Sequence, residues 1–208
     1  MPIWAETIKT CWDKILTEEE ILAEFRASDA LLEGHFILSS GRHSMQYLQC
    51  ARLLMQPRRA ARMAEALVAK IPADIRRSID VVVSPAMGGV IIGHEMGRAL
   101  DLDALFLERP DGTFILRRGF HLEPGQKVLM MEDIVTTGLS SREAIQAIRD
   151  AGGNVVAAGA LVDRSSGAAQ FDVPFFPLTT MDVPSYAPDE VPAELAAIPT
   201  TKPGSRKA

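Results

Sequence analysis

The chain has 208 residues, 47% hydrophobic and 24% charged, which suffices for one sizeable core in a single soluble domain and is too apolar for general disorder. Its 22 Lys and Arg against 27 Asp and Glu leave a net charge of −5, so a nucleic-acid surface is not expected and any phosphate site must be local. The most apolar run, Val81 to Leu100, is interrupted by His94, Glu95 and Arg98 and is no membrane span. Met1 to Glu6 lacks a basic patch followed by an apolar core, which makes the cytoplasm the expected compartment. Cys11 and Cys50 show neither metal-ligand spacing nor a redox pair and read as packing residues.

Thr17 to Glu20 spells a capping box that predicts a helix to about Ser28. His35–Leu38 and Gln46–Gln49 are extended candidates around the turn chemistry of Ser39-Ser40-Gly41-Arg42-His43-Ser44, a hairpin. Pro57 suits a first helical turn, and Ala61, Ala64, Leu67, Val68 and Ile71 recur at helical spacing. From there strand and helix alternate. Asp80–Val83 leads through Ser84-Pro85 and Gly88-Gly89 into a helix ending near Leu100; Ala104–Leu107 and Lys127–Met131 are further strands. Leu139–Ala151 carries Ala144, Ile145, Ala147, Ile148 and Ala151 on one stripe, stops at Gly152-Gly153, and precedes a strand at Val155–Val162.

Short apolar strands separated by helices imply an α/β fold: an open parallel sheet flanked by helices, with right-handed crossovers, preceded by the N-terminal hairpin. The expected division is residues 1–75 for the N-terminal helices and hood hairpin, 76–183 for the α/β core, and 184–208 for a Pro-rich tail, either a strap or frayed.

In such sheets ligands sit beyond the carboxyl ends of the strands. One apolar strand there ends in Glu132-Asp133 and runs through Ile134 and Val135 into Thr136, Thr137, Gly138, Leu139 and Ser140. Three hydroxyls, a glycine that admits close approach to the backbone and a helix N-terminus with about half a positive charge suit a phosphate monoester. Ser140 with Glu143 also spells a capping box, so a plain helix start fits the same residues. Extended geometry would point Glu132 and Asp133 to opposite faces, where they would not share one proton. A carboxylate beside a phosphate loop makes sense if it accepts hydrogen bonds from vicinal sugar hydroxyls, although two solvated acids in a turn remain the plainer reading. Gly88 and Gly89 fit either a second anion cradle or tight packing.

Glu132-Asp133-Ile134-Val135-Thr136-Thr137-Gly138 resembles the signature of the type I phosphoribosyltransferases, which use 5-phosphoribosyl 1-pyrophosphate (PRPP). Gly34 to Ser44 and Leu161-Val162-Asp163-Arg164-Ser165-Ser166-Gly167 are similar to the orotate-using branch, and the likeness runs from about Leu16 to the tail. The resemblance implies that Thr136, Thr137, Gly138 and Ser140 hold the 5-phosphate while Glu132 and Asp133 engage the ribose in the catalytic step. Gly88 and Gly89 would lie in the pyrophosphate loop, and Arg109 would add positive charge over the leaving group. Thr136 and Arg164 would meet orotate, the guanidinium fork matching a carboxylate; a surface ion pair is the alternative for Arg164.

The resemblance also implies Mg²⁺ held through substrate and water with no direct protein ligand, and a homodimer with an arginine-bearing loop reaching the partner's site. Better-known relatives carry lysines where Ser39 and Gly88 align, and a mobile loop with lysines and a histidine; here that loop runs from Glu108 to His121, with Arg117, Arg118 and His121 as further candidates, or as a solvated face. Many relatives carry glycine where Leu139 stands, so a positive φ is not expected at that residue. A purine-base transferase, or an RNA-binding regulator on the same fold, would share the donor loop.

Overall fold

A computed structural model describes residues 16–38 and 40–203; Cys11, the N-terminal stretch, Ser39 and everything from Gly204 onward, with the readings made on them, lie outside the described residues. The capping box forms as its spelling predicts: the Thr17 hydroxyl accepts from the Glu20 N–H, the Glu20 carboxylate accepts from the Thr17 N–H, and α1 (Glu18–Ala27) follows. The hairpin is longer than the sequence suggests, with β1 (Leu31–Ile37) antiparallel to β2 (His43–Leu48) and Gly41 at positive φ in the turn. Two short helices not anticipated from periodicity, α2 (Cys50–Leu54) and α4 (Ala73–Ser78), flank α3 (Pro57–Lys70). In α3 the buried stripe is Ala60, Met63, Ala64, Leu67 and Val68, with Ala61 half-buried beside it.

The core alternates β3 (Val81–Pro85), α5 (Gly88–Leu100), β4 (Ala104–Glu108), β5 (Ile115–Leu116), β6 (Lys127–Val135), α6 (Leu139–Asp150), β7 (Asn154–Asp163) and β8 (Phe175–Thr180). Among the described residues its sheet runs β5-β4-β3-β6-β7-β8, parallel except for the edge strand β5. Strand order reverses direction between β3 and β6, which is where the crevice of an open α/β sheet forms.

Alternation along each strand sorts the apolar side chains onto two faces. Val82, Leu129, Met131, Ala157 and Leu161 join α3 and α5 in one core, whereas Val81, Val83, Val128, Met130 and Ala158 pack with Ala144, Ile145 and Ile148 of α6 in the other. Ala151, expected on that stripe, is the exposed C-cap of α6. Helix α5 lies close on the sheet because Gly93 faces Ser84; a Cβ there would stand 2.4 Å from the Ser84 Oγ.

The Pro-rich segment is no frayed end as far as Pro203. It supplies β9 (Ser185–Tyr186), a one-turn helix α7 (Ala193–Ala196) and β10 (Thr200–Thr201), and the hood sheet runs β10-β1-β2-β9. A side-chain relay fixes this closure. The Ile198 carbonyl accepts from His35 Nδ1 at 3.0 Å, which leaves His35 Nε2 to accept from His43 Nδ1 at 2.6 Å.

Candidate active site

β6 continues through the two acids to Val135, past the expected end at Met131, because β7 offers partners for Ile134 and Val135 at Val162 and Asp163. β3, by contrast, pairs with β6 only as far as Met130. Beyond that point the crevice opens, with the Glu132 and Asp133 carboxyls close enough to perturb each other. Glu132 is only 7% exposed, and burial, then the Asp133 charge, pushes its pKa up to about 8, with Arg109 pulling weakly the other way. Burial also raises Asp133, opposed by the Ile134 N–H, which donates to its Oδ1 at 2.9 Å. Burial thus favours the protonated form of both acids, and the Asp133 charge favours it further at Glu132.

The loop after β6 forms one wall of a cavity of about 230 Å³ lined by Arg109, residues 134–141 and Glu143. Gly138 sits at φ +72° as the N-cap of α6, and Leu139 is simply the first helical residue, exposed and without positive φ. The N-cap Gly138 offers no side chain to this helix, and Ser140 does not form the predicted capping box, because the loop turns at Gly138 and Glu143 pairs with Arg109. Thr136, Thr137 and Ser140 are exposed on the cavity; the Thr137 Oγ1 accepts from the Leu139 N–H at 3.3 Å, and Arg142 donates to the Thr137 carbonyl at 3.2 Å. A helix N-terminus whose N-cap has no side chain, with three hydroxyls beside it, is an anion site by its chemistry.

Across the crevice Gly88 abuts Asp133. A Cβ on Gly88 would lie 2.6 and 2.7 Å from the two carboxylate oxygens, and one on Gly89 would lie 3.0 Å from the Met131 carbonyl. Both glycines thus serve close packing, and at Gly88 what packs against the loop is an acid of the site itself.

Arg164 follows β7, its N–H donating to the Val135 carbonyl at 2.7 Å. It is half-buried, burial lowers its pKa, its Nε is buried without a hydrogen-bond partner, and it forms no ion pair among the described residues. The surface-pair alternative therefore does not hold for it. A cation that stays charged in this setting is poised for an anion from outside the chain.

Cys50, missed as a neighbour of the site, places its thiol 3.9 Å from the Asp133 carbonyl; burial and then Asp133 raise its pKa well above the ordinary value. The Ser165 hydroxyl, beside Arg164, is also buried without a partner. Residue type alone marked neither, since burial depends on partners distant in the chain, as for Cys50 against Asp133.

The loop candidates separate. Arg109 lies on the cavity with its guanidinium 3.9 Å from the Phe114 ring centroid. Arg117 and Arg118 both pair with Glu108, at 3.2 and 2.5 Å. His121 lines a different cavity with Val81, Asp103 and Gln126, residues at the amino ends of the strands and so away from the phosphate loop. Among the described residues no cluster of three or more His, Cys, Asp or Glu side chains is placed to hold a metal ion, and no helix is long and apolar enough to cross a membrane.

Residues 51–183 match the model of the phosphoribosyl transferase domain. Orotate phosphoribosyltransferase of Rhizorhabdus wittichii is 69% identical over 193 residues, 93% of this chain and 98% of that protein; that of Novosphingobium aromaticivorans is 70% identical over 191 residues, 92% and 98%. Among solved structures, orotate phosphoribosyltransferase from Aeropyrum pernix superposes with a TM-score of 0.64 at 27% identity, over 77% of this chain and 93% of that one.

Proposed function

The chain belongs to the phosphoribosyl transferase family, in its orotate phosphoribosyltransferase branch, and from that premise we infer that it moves a 5-phosphoribosyl group from PRPP to N1 of orotate. The products are orotidine 5-phosphate and pyrophosphate, a step of pyrimidine biosynthesis. In the transfer the bond from the sugar C1 to the pyrophosphate oxygen breaks and a C1–N1 bond forms; the orotate dianion supplies the electron pair, so no protein base is required.

The observation that carries this reading is the complementarity of one crevice. A hydroxyl loop stands at one strand end for a phosphate, the Glu132–Asp133 pair lies beside it for vicinal hydroxyls, and an Arg164 whose Nε has no partner follows on the adjacent strand for a carboxylate. Within it, Thr136, Thr137, Gly138 and Ser140 take the 5-phosphate, Glu132 and Asp133 the ribose, Gly88 and Gly89 the pyrophosphate, and Thr136 and Arg164 the orotate. Holding the two reactants in line contributes about 7–11 kcal/mol of barrier lowering. Charge stabilisation adds to this, each well-placed donor being worth about 3–4 kcal/mol.

Mg²⁺ fits this donor set: two adjacent acids are too few for a protein cage and sufficient to hold water on an ion bound mainly by a diphosphate. When bound, the ion neutralises charge on the departing pyrophosphate. We also propose a homodimer, supported by the resemblance and by the exposed Met87 and Ile91 at 83% and 45%, and a cytoplasmic location, supported by the free thiol of Cys50. Arg109 is our candidate for covering the donor phosphates; Arg117 and Arg118 would first have to leave Glu108.

The deciding experiment adds orotate, PRPP and Mg²⁺ to purified protein and follows orotate absorbance, with adenine, guanine and hypoxanthine as rival acceptors. Loss of orotate supports the reading, and turnover of a purine alone refutes it. Arg164→Ala should raise the KM for orotate about tenfold or more with little change for PRPP; an equal effect on both would remove Arg164 from the base site.

A further inference from the structure

Arg109 and Glu143 occupy a position the transfer reaction does not by itself explain. Both line the cavity into which the Thr136–Ser140 hydroxyls project, and they form an ion pair across it, from the end of β4 to the first turns of α6. The Arg109 guanidinium also lies on the Phe114 ring, 3.9 Å from its centroid, and Phe114 is itself buried in the core shared with α6. The arginine is thus held by a carboxylate on one side and a fixed aromatic face on the other, the latter a favourable setting for a cation.

Glu143 is out of place in a phosphate cradle, where a carboxylate repels the ligand. Its position is explained if it stands in for the anion when the cradle is empty. Guanidinium binds carboxylate and phosphate with the same planar fork of donors, so a single arginine can exchange one for the other with little rearrangement.

We propose that Glu143 is a positioning residue that acts through Arg109: its carboxylate is the placeholder partner of Arg109, and an incoming phosphate monoester displaces it. This rests on the reading of residues 136–140 as the phosphate site. In the resting chain Arg109 is parked over the loop by Glu143; with phosphate present it turns to the ligand, and Glu143 is released to solvent. The half-exposed state of both side chains, 36% for Arg109 and 43% for Glu143, makes the pair weak enough to exchange.

The test measures binding of inorganic phosphate and the KM and kcat for PRPP in four proteins: the unaltered chain, Glu143→Gln, Arg109→Ala and the double variant. Glu143→Gln should tighten phosphate and lower the KM for PRPP about two- to fivefold, the span of a surface ion pair, while kcat changes less. Arg109→Ala should weaken both, and in that background Glu143→Gln should give no gain, because no arginine is left to release.

Unchanged or weaker phosphate binding in Glu143→Gln overturns the proposal. So does a gain that persists without Arg109, since that is plain charge repulsion. Thr137→Val separates the two layers of the argument. If it leaves phosphate binding intact, the loop reading itself fails; if it abolishes binding while Glu143→Gln is silent, only the placeholder role fails.

Discussion

Two loops leave the carboxyl ends of neighbouring strands at the crevice, one after β3 through Gly88-Gly89 and one after β6 through Thr136–Ser140, and both run into a helix. They look alike in sequence, small residues after an apolar run, yet what lies against each of them differs. The first is closed against protein, each glycine standing where a Cβ would strike a side chain or carbonyl, Gly88 against Asp133 and Gly89 against Met131. The second is packed at its glycine as well, where a Cβ would meet Arg142 and Ala169 at 2.9 and 3.0 Å, but Gly138 turns the chain at positive φ and the hydroxyls on either side face a cavity. A glycine following a strand is therefore ambiguous until its neighbour is known, and here the neighbour of the first loop is the acid that the second loop leads away from.

That contrast can be broken at Asp133, the residue both loops share. Asp133→Asn keeps the shape and removes the charge, and turnover should fall about a hundredfold or more with the fold retained. Near-normal kcat with an unchanged circular dichroism spectrum would take Asp133 out of the chemistry. A smaller effect distinguishes the loops from each other. Gly88→Ala should displace the Asp133 carboxylate and lower kcat about tenfold while the melting temperature moves little. Gly138→Ala should instead cost about 1–2 kcal/mol of stability from its positive φ, with a rise in the KM for PRPP. If the two alanines gave the same pattern, the contrast between the two loops would have no functional meaning.

The smallest expected effect is on pH dependence. Glu132 binds its proton more tightly in the fold, at about 8 against an ordinary 4.5, so its contribution favours the fold below about 4.5 and is lost as pH rises through about 8. Thermal melts of the unaltered protein and Glu132→Gln across that window should diverge, the variant showing the shallower decline.

The sequence carries the core well because its signals are local. The capping box at Thr17–Glu20, the apolar runs at Val81 and Val128 and the hydroxyl loop each fit within a dozen residues, and each forms where its pattern places it. What was not legible depends on distant partners. β8 contains Pro177, which blurs a strand pattern, and is drawn into the sheet by β7. β9 and β10 are two residues each and exist only because β1 and β2 offer edges. The Arg109–Glu143 pair spans 34 residues, and the opening of the crevice at Glu132 and Asp133 depends on where β3 stops pairing. Periodicity says which way a side chain should point within a strand; it does not say where the neighbouring strand ends.

The discontinuous hood has a consequence for the order in which the molecule is made. β1 and β2 come from residues 31–48 and their flanking strands from 185–201, so the whole α/β core is an insertion within the hood. A chain emerging from synthesis can complete the core while the hood still lacks both outer strands, and the last contact to close is the one joining β1 to Thr200 and Thr201. Losing only the final dozen residues should then leave a folded core carrying an unfinished roof, in which His35 has lost the carbonyl that fixes its ring.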